Sequence, residues 1–388
     1  MNKAIFLINS LSSGGAERVL SVIVEKLVKE KCDVRIIFLE KKEFYKLPKE
    51  VKKIHLSNFT GKENALIKFL FLPIFAWKLK KYIKLNNIKL VQSHIFRSNY
   101  VNILSKLLGS NHEVQIVITS ILSAHKKRGL LGKINYFLIK TLFSKADLII
   151  WKSKRMQYDA NNLFNFNTNQ VVINNPLNVE KIQKLSTEKI DDFKFDKNKV
   201  YLINVARMES FKKQEWIIKT LPFLNNKIEL ILIGDGKNKQ NLKNIANELR
   251  VIKRVHFLGK KSNPYKYVAK SDIFILSSDN GEGFPNALVE ALACKTPAIS
   301  SDCVAGPREI LHPNSDITKQ LKKGDGFEIG EYGMLFAIWD IKSLKDAINY
   351  LLENKKLYYE YQSKSIKRAK DFSIENIIKN YKNILNLR

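Results

Sequence analysis

Short β-branched runs alternate with longer amphipathic ones along this chain of 388 residues. Ala4–Ile8 reads as a strand. Between Ala16 and Glu30, the apolar residues Val19, Leu20, Ile23, Val24, Leu27 and Val28 then recur at helical spacing. Val34–Leu39, Leu90–Ser93, Gln115–Thr119, Leu148–Trp151 and Val171–Ile173 continue the strands. Asn174–Pro176 is turn chemistry, and residues 178–199 are polar with few apolar positions. The pattern then restarts with strands over Val200–Ala206, Glu229–Gly234, Val255–Leu258, Ile273–Ser277 and Pro297–Ser300, and a helix over Gln214–Leu221. Such alternation predicts parallel sheets with helices on both faces. The expected class is therefore α/β, with two doubly wound domains. An N-terminal domain spans 1–178, a linker 179–196 and a C-terminal domain 197–370. A helix within 371–388 is expected to pack back toward the N-terminal domain, and residues 312–331 to form a loop insertion. Two such sheets in tandem would make a cleft between the carboxyl ends of their strands. Ligands of open sheets bind beyond those ends, so the chemistry is sought on the loops that follow strands.

Charge changes the picture next. The chain carries 67 Lys+Arg against 37 Asp+Glu, a net charge of +30. The excess concentrates in residues 1–178, and no acid occurs from Asn64 to His112 or from Val114 to Ala146. A surface of that kind attracts nucleic acid, an anionic membrane or a phosphorylated ligand. The three scattered cysteines, Cys32, Cys294 and Cys303, form no C-x-x-C pair, which argues for a reducing compartment and against zinc. The apolar run at Ala4–Ile8 is too short for a signal peptide, and the window Ala65–Trp77, interrupted by Lys68 and Pro73, is too short to span a bilayer.

Three constellations follow strands. Ser12–Arg18, with Gly14 and Gly15, lies between the first strand and first helix, where backbone amides at the helix start can meet an anion. It matches neither G-x-G-x-x-G nor a Walker loop. Arg207 and Lys212 follow the strand Val200–Ala206 and suit a diphosphate. Asn280–Glu290 places Glu282 in a loop and Glu290 in the first turns of a helix. The amides of Gly283, Phe284, Pro285 and Asn286 lie around the turn, although proline supplies only its carbonyl. One carboxylate can meet a sugar ring while the other accepts from vicinal hydroxyls. No Asp-x-Asp occurs to hold a divalent ion against a sugar diphosphate.

Arg207 and Lys212, then Gly234–Gly236, then Phe257–Gly259, then Glu282 and Glu290 with seven residues between them, together resemble glycosyltransferase family 4 of the GT-B fold. Ser13–Arg18 is similar to that family as well, so the match runs over nearly the whole chain. Ser301–Asp302 and Ala305–Leu311 resemble its bacterial members that build surface polysaccharides and lipid-linked oligosaccharides. The resemblance implies two Rossmann-like domains facing across a cleft. It also implies a retaining transfer from a nucleotide sugar, with no metal and no other cofactor. Arg207, Lys212 and Glu282 become the catalytic residues. Gly14, Gly15, Gly283, Phe284, Pro285, Asn286 and Glu290 become the donor-binding ones, with Glu290 on the ribose. Many members carry a histidine after the strand that corresponds here to Gln115–Thr119. Here Ser120 and Ile121 follow it, His125 comes late, and His94 after Leu90–Ser93 is the candidate substitute.

Asn64–Asn87 and Lys126–Lys145 interleave apolar residues with lysines and read as cationic amphipathic helices suited to a membrane interface. In the first, Lys68, Phe71, Phe75, Trp77, Lys80, Lys81 and Lys84 are the expected membrane contacts. The reading is a metal-independent hexosyltransferase on the inner face of the cytoplasmic membrane. Its donor is UDP-linked, its acceptor a membrane-anchored glycan and its further partner the anionic membrane surface. A sugar-nucleotide epimerase would need more carboxylates in the N-terminal half. A nucleic-acid-binding protein would need a recognised module, and none occurs, so no nucleic-acid partner is expected.

Overall fold

The structure is a computed structural model, and it describes residues 3–124, 129–279 and 281–387. The chain forms two compact units, Met1–Leu177 together with Ile374–Arg388, and Asn178–Ser373.

In the first unit, seven strands form one parallel sheet. They are β1 (Lys3–Ile8), β2 (Asp33–Phe38), β3 (Lys52–His55), β4 (Leu90–His94), β5 (Glu113–Ile118), β6 (Leu148–Trp151) and β7 (Asn169–Val172). Their order is β3-β2-β1-β4-β5-β6-β7, so the connection reverses between β1 and β4, the switch point of a doubly wound sheet. Strands buried on both faces read as continuous apolar runs, as β1 does from Ala4 to Ile8. Helix α1 (Gly15–Lys29) buries Val19, Leu20, Ile23, Val24 and Leu27 against the sheet. The lysine-rich β3 escaped the sequence reading. It sits at the sheet edge, where charged side chains are tolerated and discourage pairing with another chain. Helices α2 (Ala65–Leu70), α3 (Leu72–Leu85) and α4 (Phe96–Leu107) follow, α3 packing on α4.

The second unit repeats the plan. Its strands are β8 (Val200–Val205), β9 (Ile228–Ile233), β10 (Val255–Gly259), β11 (Ile273–Leu276), β12 (Ala298–Ser301), β13 (Phe327–Ile329) and β14 (Met334–Phe336). Their order is β10-β9-β8-β11-β12-β14-β13, parallel throughout except for the antiparallel edge pair β13–β14. The last residues of the expected insertion at 312–331 are thus a strand.

The expected linker is corrected. Residues 178–196 belong to the second unit. Val179–Ser186 is a helix capped by the Asn178 side chain, with Val179 and Ile182 buried. Asn263 donates to the Leu185 carbonyl at 2.8 Å and Lys266 to that of Lys189 at 2.7 Å. The polar composition hid an element held by hydrogen bonds and two apolar anchors. The helix Ile374–Ile384 belongs to the first unit, with Ile374, Ile377, Ile378 and Tyr381 buried there. Among the described residues no helix is long and apolar enough to cross a membrane.

Candidate active site

A polar cluster that unites several of the expected residues lies past strand ends in the second unit. Beyond β8, Arg207 is exposed, and its guanidinium makes no hydrogen bond or ion pair among the described residues. Its backbone is fixed from the neighbouring loop. Met208 donates to the Asp235 carbonyl and Asn238 to that of Met208, each at 2.9 Å. Gly234 and Gly236 allow this approach. A Cβ at Gly234 would sit 1.9 Å from the Ala206 carbonyl oxygen, and one at Gly236 2.4 Å from that of Met208. Lys212 ends a short turn over Ser210–Lys212, and its ammonium lies 5.1 Å from the Phe211 ring centre.

Lys212 reaches across to the loop after β11. Its Nζ donates to Glu282 Oε1, which also accepts from the Ser278 hydroxyl at 2.6 Å. Burial alone would raise the Glu282 carboxyl. Lys212, Ser278 and the Arg207 charge outweigh it and hold the group below the ordinary carboxylate range, so it is ionised at neutral pH. Ser277 Oγ donates to the Lys212 carbonyl at 2.8 Å, and Ser301 Oγ to that of Ser278 at 2.5 Å. The sequence reading gave Ser277 and Ser278 no role and named Ser301 only within a family-like segment. Their signal is small hydroxyl residues at the carboxyl ends of two neighbouring strands, β11 and β12.

The helix Asn286–Ala293 starts at Pro285 without a side-chain cap hydrogen bond, so its positive dipole end lies beside this loop. Phe284 is buried, edge-on to Phe372 at 5.2 Å. Gly306 at φ +97° completes the turn, since a Cβ there would meet Pro285 Cδ at 2.4 Å and the Gly283 carbonyl at 3.3 Å. Glu290 lies in this helix and is buried. Asn280 lies outside the described residues. Arg207, Lys212 and Glu282 are thus brought together, with Gly283–Asn286 continuing directly from Glu282.

The first unit treats its candidates differently. Gly14 and Gly15 open α1, and Glu17 folds back under them to accept from Ser12 at 2.5 Å. A Cβ on Gly14 would lie 2.1 Å from that carboxylate, so a side chain there would displace Glu17. His94 is corrected as a donor contact. It is 1% exposed, with Nε2 3.2 Å from Gln92 Oε1 and its ring edge-on to Phe6. Burial first, then the Lys152 charge, pushes its pKa well below the ordinary histidine value. As the last residue of β4 it faces into the packed layer instead of beyond the strand end. His125 lies outside the described residues.

The expected membrane contacts also divide. Phe75 is fully buried, and Lys68 is drawn into ion pairs with Glu40 at 3.3 Å and Glu63 at 3.9 Å. Both are corrected, because α3 turns Leu72, Phe75, Ala76, Leu79 and Ile83 onto the core. Phe71 is half-buried against Phe59, and Lys80 donates to the Leu108 carbonyl. Trp77, Lys81 and Lys84 are exposed, Lys81 lying 5.8 Å from the Trp77 ring centre. Leu66, Ile67, Leu70 and Ile74 join them outside, Leu70 at 68% exposure. In the second segment Phe137 is 64% exposed, while Lys126 lies outside the described residues.

Known proteins match this arrangement along its length. A family model described as Glycosyl transferases group 1 matches residues 186–372, and one described as Glycosyltransferase Family 4 matches residues 13–181. The N-acetylgalactosamine-N,N'-diacetylbacillosaminyl-diphospho-undecaprenol 4-alpha-N-acetylgalactosaminyltransferase of Campylobacter jejuni is 30% identical over 376 residues, covering 96% of each chain. Sucrose-phosphate synthase from Thermosynechococcus elongatus superposes with a TM-score of 0.80 at 16% identity, over 99% of this chain and 98% of that one. Anabaena HepE, crystallised with UDP and glucose, gives 0.74 at 18% identity over 100% of both. The fold is therefore GT-B, with two doubly wound α/β domains.

Proposed function

The chain belongs to glycosyltransferase family 4, and from that premise we propose a retaining, metal-independent hexosyl- or N-acetylhexosaminyltransferase with a UDP-linked donor and a membrane-anchored glycan acceptor. One observation carries the reading. Two cations and one ionised carboxylate converge on the loops beyond β8 and β11, beside an uncapped helix start. As the bond from the sugar's anomeric carbon to the diphosphate breaks, negative charge grows on the departing oxygen. Arg207 and Lys212 stabilise it, the part a divalent ion plays elsewhere. The acceptor hydroxyl forms the new bond on the same face of the sugar and passes its proton to the departing diphosphate. Glu282 orients the sugar, and Glu290 accepts the ribose hydroxyls.

The acceptor assignment is supported by the Campylobacter relative, named for a diphospho-undecaprenol glycan, and by the exposed Leu66, Ile67, Leu70, Ile74 and Trp77 beside Lys81 and Lys84. Apolar insertion with basic flanks suits an anionic bilayer. The proposed location is the inner face of the cytoplasmic membrane, where nucleotide sugars are supplied.

A panel of nucleotide sugars tested for donor hydrolysis and thermal stabilisation, with and without excess EDTA, tests the reaction. A UDP-sugar that stabilises the protein and is turned over in chelator supports it. Turnover that returns only with added Mg²⁺ or Mn²⁺ overturns the metal-free mechanism. Sedimentation with anionic vesicles tests the membrane face, and Leu70→Ser with Trp77→Ser should leave the protein in the supernatant.

A further inference from the structure

The two oxygens of the Glu282 carboxylate are used unequally. Oε1 accepts from both Lys212 and Ser278, while Oε2 accepts from no group among the described residues. The last torsion of a glutamate side chain, between an sp³ and an sp² carbon, is broad and weakly restrained. An ion pair with lysine alone leaves the carboxylate free to rotate, because an ammonium is a point charge without a preferred plane. A second donor on the same oxygen removes that freedom.

The second donor is itself fixed. Ser278 is fully buried one residue past Ser277, just beyond β11, and its carbonyl is held by Ser301 at the end of β12. On the other side, Ser277 holds the Lys212 carbonyl. Both arms of the clamp thus start from the rigid sheet, where a site is positioned more accurately than on loops alone.

We propose that Ser278 is a positioning residue for Glu282: its hydroxyl, with Lys212, locks Oε1 and so presents Oε2 to a hydroxyl of the donor's sugar. This rests on the reading of Glu282 as the sugar contact. It adds that the orientation of the carboxylate is set by a buried serine that meets no substrate. Orientation of this kind matters most in the transition state, when the sugar must be held while its bond to the diphosphate breaks.

The test uses the full chain with UDP and UDP-N-acetylgalactosamine as probes, and compares Ser278→Ala, Ser278→Thr, Glu282→Gln and the double variant Ser278→Ala with Glu282→Gln. Ser278→Ala should lower kcat for donor turnover about tenfold, the scale of a hydrogen bond to a charged group. Its UDP affinity and melting temperature should stay those of the parent. Ser278→Thr, which keeps the hydroxyl, should recover most of the rate. In the Glu282→Gln background, Ser278→Ala should cost little more, because the serine acts through that carboxylate. If Ser278→Ala changes kcat less than twofold while Glu282→Gln is crippled, the positioning role is overturned and the site stands. If UDP affinity and melting temperature fall together with kcat, the serine is merely structural and the proposal fails. An unimpaired Glu282→Gln would overturn the reading of the site itself.

Discussion

The carboxyl ends of the two sheets can be set side by side. In the second unit, the polar groups stand past the strands. Arg207 lies two residues beyond Val205, and Glu282 six beyond Leu276. They remain charged, since Glu282 has its pKa lowered by partners that overcome burial. In the first unit, two buried titratable groups sit at the strand ends themselves. His94 is the last residue of β4, and Lys152 directly follows β6. Both are buried and driven toward their neutral forms, with the Lys152 pKa falling to about 7. The same architecture therefore carries a carboxylate held ionised beyond β11 and a buried histidine and lysine with lowered pKa values at the ends of β4 and β6. What separates them is how far past the strand the residue falls.

The comparison breaks first at the cations. Arg207→Ala and Lys212→Ala should each lower kcat by about 10²–10³, as for the loss of a transition-state donor. Charge appears on the diphosphate only as the bond breaks, so steady-state kinetics should place the loss in kcat more than in donor KM. An effect confined to KM would make them ground-state contacts.

Glu290→Ala comes next, with the donor KM expected to rise by about 10–100-fold and the fold to persist. Circular dichroism and kinetics together check it, and an unchanged KM would remove Glu290 from the donor site.

His94→Ala should do the reverse. A cavity beside Phe6 should cost about 2–4 kcal/mol of unfolding stability, while the donor KM holds. Denaturant melts read the first, and a raised KM at unchanged stability would restore His94 to the site.

The last way to sharpen the contrast is through pH. Lys152 donates to the Tyr381 hydroxyl of the C-terminal helix, and burial lowers its pKa to about 7. In the unfolded chain it stays protonated to about pH 10. Between those values the unfolded state binds more protons, so this lysine destabilises fully below about pH 7 and the penalty lifts as pH rises through the window. Lys152→Met should flatten that part of the stability profile. Melting temperatures of both proteins from pH 7 to about pH 10 measure the difference.

Much of this was legible in one dimension. Apolar periodicity located β1, α1, β2 and β8 to β12 within a residue or two, because period 2 and period 3.6 are written locally, whereas β13 fell inside the expected insertion. The spacing of Glu282 and Glu290 and the cations after β8 marked the candidate loops for the same reason. Where charge alternates with apolar residues the pattern located α2 and α3. It could not say that Phe75 turns inward while Ile74 and Trp77 turn outward, since that depends on which face meets α4.

Local pattern was enough for the class of fold, the duplication of the sheet and the candidate site residues, all properties of neighbours along the chain. Long-range packing decided that Lys212 meets a carboxylate 70 residues away, that Ser278 donates to that carboxylate, that His94 is sealed in the core, and that residues 178–196 belong to the second unit. Those contacts depend on strand order and on which side of a packed layer a side chain enters. Burial then sets the charge state, a property that no local pattern contains.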